Sequence, residues 1–294
     1  MKEPPPSDPE RRIRLSATTR KSGKREGPKE LLSRFGFHSS PFSREFQIER
    51  RFELPYLDEA LGSLHQAVLM RESAALIAPA GSGKTVVLRA LREQLPEARF
   101  RVRYVKVTGL SRRDMCREIA YAMDIPPAGQ FPALVRGLQA RLEAVEADGL
   151  RPVLILDEAQ DMRAETLGLL KIITNFDMDS RLVASVLLAG QPPLRRTLQS
   201  PELEDVARRM VHFATLRLLS REETGAYVEH RCAIAGNITP PFDAQALDAI
   251  YEISRGNFRA IDRLGRKALE IASSRDEDVV GAPHLIQARK VLWP

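Results

Sequence analysis

Short apolar runs alternate with longer amphipathic stretches through the middle of the chain. The runs at residues 74–77, 102–107, 151–157, 182–189 and 211–216 read as strands. Between them, residues 86–95, 111–123, 132–147 and 164–175 carry apolar side chains at helical spacing. The segment Val153-Leu154-Ile155-Leu156 is apolar without alternation, as a strand covered on both faces must be. Strand and helix alternating from 74 to 217 predict a parallel sheet built from right-handed crossovers. Beyond 217 only helical patterns remain. Ser220-x-x-Glu223 opens one helix, Asp243 caps a second, residues 257–274 supply a third, and residues 283–292 a short fourth. The expected fold class is therefore α/β, a parallel five-stranded αβα core followed by a small all-helical lid.

Upstream of the first strand, Leu57, Leu61, Leu64 and Val68 recur at helical spacing, and Asp58 is expected to cap that helix. Phe35, Phe37 and Phe42 crowd around a turn just before it and read as a docking segment. The expected divisions are a basic arm at residues 1–30, the docking segment and helix at 31–72, an αβα core at 73–218 and the lid at 219–294.

Composition adds constraints. A chain of 294 residues, 43% hydrophobic, holds one generous domain or two modest ones. No apolar run approaches the length of a membrane span, and the N-terminus lacks a signal-peptide core, so a cytoplasmic protein without a membrane partner is expected. Cys116 and Cys232 are far apart and suggest neither a zinc site nor a disulfide framework. The formal net charge of +6 is uneven. Arg11, Arg12, Arg14, Arg20, Lys21, Lys24 and Arg25 form a stretch without an acid, in a segment with little to bury. Such an arm either follows nucleic-acid phosphates or simply keeps the protein soluble.

The chemistry is concentrated at Ala78-Pro79-Ala80-Gly81-Ser82-Gly83-Lys84-Thr85-Val86, placed between a strand and a helix. That spacing supplies backbone N–H groups to wrap phosphates, Lys84 to reach the outer ones, and the Thr85 hydroxyl to Mg²⁺. The usual pattern begins with glycine where Ala78 stands, which is tolerable if residue 78 keeps strand dihedrals. About seventy residues later the apolar strand ends in Asp157-Glu158. At the carboxyl end of a parallel sheet, Asp157 is placed to hold the Mg²⁺ shell and Glu158 to polarise an attacking water. The chain is expected to bind and hydrolyse a nucleoside triphosphate.

Phosphate loop, acidic strand end, fifth strand and helical lid together resemble the AAA+ ATPases. Gly190-Gln191-Pro192-Pro193-Leu194 is similar to a G-Q-P-x-L strand end, where Gln191 would be the first sensor of the terminal phosphate. Arg208-Arg209 precedes the fifth strand where the resemblance places an arginine finger serving a neighbouring subunit, with Arg209 ahead of Arg208. Gly256-Asn257-Phe258-Arg259-Ala260-Ile261 resembles the opening of a lid helix with Arg259 as second sensor, although Phe258 stands where relatives often have proline. ATP and Mg²⁺ are the implied cofactors.

Within that family the chain resembles the branch containing the secretion ATPase ExeA and the transposon target-selection ATPases of the TnsC/TniB type, with MuB more distant. With neither a membrane span nor a domain after the lid, the transposition regulators are the expected match. The resemblance then implies ATP-bound subunits assembling head to tail on duplex DNA, as a ring or helical filament, and recruiting a transposase and a target-selection protein. Lys106, Thr108, Ser111, Arg112 and Arg113 are the implied DNA contacts, aimed at phosphates and indifferent to sequence. A secretion-associated ExeA-like ATPase and a replication-initiation or helicase-loading AAA+ protein are the alternatives.

Overall fold

Strands β1 (Ser73–Ile77), β2 (Phe100–Lys106), β3 (Arg151–Asp157), β4 (Ser185–Gly190) and β5 (Met210–Thr215) pair in parallel in the spatial order β2-β3-β4-β1-β5. This computed structural model describes residues 28–43, 45–107, 109–126, 129–237 and 239–293. Residues 1–27 of the basic arm expected at 1–30, and Thr108, lie outside the described residues, while Pro28, Lys29 and Glu30 belong to the first helix. Register levels the carboxyl ends of the strands. Lys106 pairs with Asp157, Asp157 with Ala189, and Ile77 with both Gly190 and Thr215. One edge of the sheet thus receives everything that follows a strand, which is where ligands of open parallel sheets bind.

In chain order the helices are α1 (Pro28–Arg34), α2 (Pro55–Leu69), α3 (Lys84–Gln94), α4 (Arg112–Ala122), α5 (Phe131–Ala147), α6 (Ala164–Ile173), α7 (Pro193–Leu198), α8 (Glu204–Arg209), α9 (Arg221–Ile234), α10 (Ala244–Ser254), α11 (Phe258–Ser273) and α12 (Ala282–Leu292). Helices α2 and α3 cover one face over Leu76, Val153, Ile155 and Leu187. Helices α4, α5 and α6 cover the other over Ile77, Leu154, Leu156 and Leu188. Successive strand residues enter opposite cores, which is why β3 and β4 read as continuous apolar runs.

Three local readings change. Helix α2 starts from Leu54 with Pro55 in the first helical position, so Asp58 is not its cap. Proline's missing N–H costs nothing there and its φ is already helical. Asp58 lies in the first turn and instead accepts a bond from Arg51 Nη2 at 3.0 Å. Strand β4 starts at Ser185 rather than 182 because its pairing with β3 begins at Val153↔Ser185. Helices α7 and α8 are each six residues long, too short for periodicity to reveal.

The helical part shares its core with the α2/α3 face. Leu219, Tyr227, Ile250, Leu264 and Leu285 are continuous with Leu76 and Leu187 through Phe35, Phe37 and Phe42. The N-terminal segment docks on the lid helices more than on the sheet. His38 N donates to Ala235 O at 2.9 Å, Arg231 Nε to Pro41 O at 2.6 Å, and Asn237 Nδ2 to Phe35 O at 2.7 Å. Phe42 meets Phe242 edge-on, with centroids 6.0 Å apart. It also lies over Gly265, where a Cβ would stand 2.6 Å from its ring. The lid helices start as expected, with a reciprocal capping box between Ser220 and Glu223 and with Asp243 and Asn257 accepting from Ala246 N and Ala260 N. Among the described residues no helix is long and apolar enough to cross a membrane. Cys116 and Cys232 are buried thiols whose burial pushes them up to about 11 and about 12, as packing residues rather than nucleophiles.

Replacing Phe42, which is 1% exposed, removes the wedge joining the N-terminal segment to the lid. Phe42→Ala is expected to cost about 3–5 kcal/mol in urea unfolding. A loss below about 1 kcal/mol would mean that the lid holds without this segment.

Candidate nucleotide-binding and hydrolysis site

The phosphate loop leaves β1 through Ala78, whose N–H donates to Gly190 O at 2.8 Å and so prolongs the pairing with β4. Ala78 is buried with ordinary backbone; the left-handed positions of the loop are Gly81 (φ +75°) and Gly83 (φ +97°). The missing first glycine therefore costs nothing. Ser82 is buried and its Oγ donates to Pro79 O at 2.8 Å, tightening the turn. Helix α3 begins at Lys84, with Gly83 as its cap. Among the described residues, the N–H groups of Gly81, Gly83, Lys84 and Thr85 donate to no protein acceptor. Unmated amides at a helix N-terminus form a cradle for phosphate.

Lys84 is 8% exposed and Asp157 4%, so both charges need partners. They have them: Lys84 Nζ lies 2.6 Å from Asp157 Oδ1 and 2.8 Å from Glu158 Oε1. Glu158 is a non-glycine residue in the left-handed region, φ +58°, and its N–H donates to Asp157 Oδ1 at 2.8 Å. That costly backbone turns the carboxylate back over Lys84 and away from the following 3₁₀ turn, where it makes no capping bond. Gln160 completes the arrangement. Its Nε2 donates to Glu158 Oε2 at 3.0 Å while its Oε1 accepts from Gln191 N at 2.9 Å. Burial pushes the Glu158 carboxyl up, but hydrogen bonds from Lys84, Gln160 and Gln191 and the Lys84 charge together hold it below its usual range. It stays ionised, as a group that orients and polarises water must be. Gln160 is invisible to motif reasoning, since a glutamine two places after an acid carries no signal until the turn brings it back.

The lid closes directly on the loop. Asn257 Nδ2 donates to Ala80 O at 2.7 Å while its Oδ1 accepts from Ala260 N at 3.1 Å, so one side chain caps α11 and grips the phosphate loop. It fills the space beside Gly81, where a Cβ would lie 2.2 Å from Asn257 Oδ1. Phe258 N donates to Gly81 O at 2.9 Å. A proline here could not make that bond, so the departure at Phe258 adds a tie between lid and loop. The cleft so formed encloses about 340 Å³ and is lined by Lys84, Thr85, Glu158, Gln191, Phe258 and Arg259. Arg259 is exposed and forms no ion pair among the described residues. The aromatic wall of Phe46, Phe52 and Phe258 gives the same cleft an apolar side for a base. The Thr85 hydroxyl and the Asp157 carboxylate are hard oxygen donors, the chemistry Mg²⁺ selects.

The other sequence-derived residues are more scattered. Lys106, Ser111, Arg112 and Arg113 are exposed at the carboxyl end of β2, the sheet's edge strand. The Ser111 hydroxyl is turned into its own helix, accepting from Asp114 N at 3.2 Å and donating to Asp114 Oδ2 at 2.6 Å. Arg112 lies over the Phe131 ring at 5.0 Å, and Arg113 Nη2 donates to Gly129 O at 3.3 Å. Arg209 is engaged within its own chain, with Asp179 and with Thr174 Oγ1 at 3.5 Å. Arg208 has a 73% exposed side chain and pairs with Glu204, one turn back, at 2.6 Å.

Asn257→Ala removes both the cap and the loop contact. It is expected to cost about 1 kcal/mol in unfolding and to weaken binding of a fluorescent ATP analogue, read by titration. Unchanged affinity would show that the loop keeps its shape without the lid.

Comparison with known proteins agrees with this geometry. Residues 70–198 match the family model of an AAA domain. General secretion pathway protein A of Aeromonas hydrophila is 31% identical over 245 residues, 82% of this chain and 44% of that protein. The chain thus spans less than half the length of this relative. Among solved structures, Cdc6p of Pyrobaculum aerophilum superposes with a TM-score of 0.67 at 18% identity, covering 86% of this chain and 70% of that one. The Aeropyrum pernix ORC1 protein in complex with DNA gives 0.63 at 20% identity, covering 86% and 68%. Sheet order, phosphate loop, acidic strand end and matched segment together show an AAA domain at residues 70–198 within an AAA+ P-loop NTPase fold, an ATPase site with ATP and Mg²⁺ as its cofactors.

Proposed function

We propose that the chain is an ATP-dependent, DNA-binding regulator of transposition, whose subunits assemble on duplex DNA in the ATP state and recruit a transposase to the target. The observation that carries the DNA reading is the exposed cationic edge of Lys106, Arg112 and Arg113, one strand from Asp157 and on the same edge of the sheet as the nucleotide loop. Side chains there meet phosphates without reading bases, so affinity falls steeply with salt and depends little on sequence. The fold neighbour solved with DNA, the Aeropyrum ORC1 protein, supports this direction.

In this reading Lys84 and the loop amides hold the phosphates, with Thr85 and Asp157 on Mg²⁺. Glu158 polarises water, Gln191 senses the terminal phosphate through the network it shares with Gln160 and Glu158, and Arg259 reaches the phosphates from the lid. A finger arginine from the next subunit completes the site, so hydrolysis follows assembly, and a head-to-tail contact yields a ring or a helix according to whether its rotation closes. Exposure favours Arg208 over Arg209 for that task. A second reading, an energy-coupling ATPase of secretion, is favoured by the 31% identity to the secretion pathway protein.

Glu158→Gln is expected to bind ATP, sediment with plasmid-length duplex DNA, and persist there after the unaltered protein has released. No DNA-dependent sedimentation with ATP at low salt would sink the transposition reading and put the secretion ATPase first. Arg208→Ala is expected to keep monomer nucleotide affinity and lose at least tenfold of the assembly-stimulated turnover, on the scale of a finger arginine. If Arg209→Ala alone does so, the arginine paired with Asp179 is the finger.

A further inference from the structure

Asp157 is held by more than its ionic partners. Its Oδ1 faces Lys84 Nζ at 2.6 Å and the Glu158 amide at 2.8 Å, while its Oδ2 accepts a hydrogen bond from the Tyr104 hydroxyl at 2.8 Å. Tyr104 lies on β2, directly beside β3, and pairs in register with Ile155. Side chains alternate along a strand, so Tyr104 shares the face of Val102 and Lys106, while Val105 enters the opposite core. Its ring is half exposed, although the carboxylate it holds is buried.

We infer that Tyr104 is a positioning residue for ATP hydrolysis, fixing the rotation of the Asp157 carboxylate so that one oxygen is presented toward the phosphate loop. Asp157 has a broad torsion at its carboxyl group, so the bonds to its two oxygens decide where that torsion rests. Lys84 faces two tasks, since the cation that pairs with Asp157 and Glu158 is also the one placed to reach phosphates. Once Lys84 engages phosphate, the Glu158 amide and the Tyr104 hydroxyl are the groups that keep Asp157 aimed. Partners of this kind, one layer behind a metal ligand, set its orientation, and their loss lowers metal affinity by about tenfold or more.

The inference rests on Asp157 being the Mg²⁺ carboxylate, and the experiment separates the two ideas. Tyr104→Phe, Asp157→Asn and the unaltered chain are compared by thermal shift at saturating non-hydrolysable ATP analogue while MgCl₂ is titrated. Steady-state hydrolysis is followed over the same Mg²⁺ range. Tyr104→Phe is expected to require about tenfold more Mg²⁺ for half of its nucleotide-dependent shift, to melt normally without nucleotide, and to approach the unaltered kcat at high Mg²⁺. If the Mg²⁺ midpoint moves in Asp157→Asn but not in Tyr104→Phe, Tyr104 has no positioning role. A fall in melting temperature at every Mg²⁺ concentration, with the midpoint unmoved, likewise makes Tyr104 a packing residue and overturns the proposal. An unmoved midpoint in Asp157→Asn overturns instead the metal assignment on which it rests.

Discussion

The contact on which the site depends is the ion pair between Lys84 and the two acids ending β3. It joins the start of α3 to the carboxyl end of a neighbouring part of the sheet, and it buries a cation against two carboxylates that need it. Removing Lys84 leaves the buried Asp157 carboxylate without its cation, whereas removing either acid leaves Lys84 paired with the other. The sheet order enforces the meeting. With β4 between β1 and β3, the phosphate loop and the acids are separated by the width of one strand, a span that an extended lysine crosses.

Around this contact, two structural elements act from different directions. Below it, the strained backbone at Glu158 and the side chain of Gln160 fix where the Glu158 carboxylate points, and Gln160 extends that control to the end of β4 through Gln191. Above it, Asn257 and Phe258 tie the first turn of the lid helix to the loop. Any movement of the lid is therefore felt at the phosphates, and a displaced loop is felt in the lid. Because the lid's core continues through Phe42 and the N-terminal segment to the α2/α3 face, the helical part is a continuation of one side of the sheet rather than a detached cap.

The arginines show how burial sorts roles that sequence cannot. Arg208 and Arg209 are adjacent and chemically identical, yet α8 turns one to solvent and folds the other onto Asp179. The same sorting applies along β2, where Lys106 is open to solvent and Tyr104 is drawn toward a buried carboxylate. Charge and spacing nominate such residues; the groups packed beside them decide what each meets.

By itself the sequence determined the five strands and the longer helices of the core, the phosphate loop and the acidic strand end. Each is a local pattern: an apolar run long enough to cross a sheet, a glycine that frees a turn, a capping residue three places before its partner. Ser220, Asp243 and Asn257 announce their helices because a cap bonds within its own turn. Only the tertiary structure decided that Asn257 also grips Ala80, that Gln160 bridges Glu158 and Gln191, and that Tyr104 holds Asp157. Those contacts link residues on different elements, brought together by strand order and by the lid's return onto the loop. Strand order follows from how the whole chain buries its apolar faces, and no single segment carries that information.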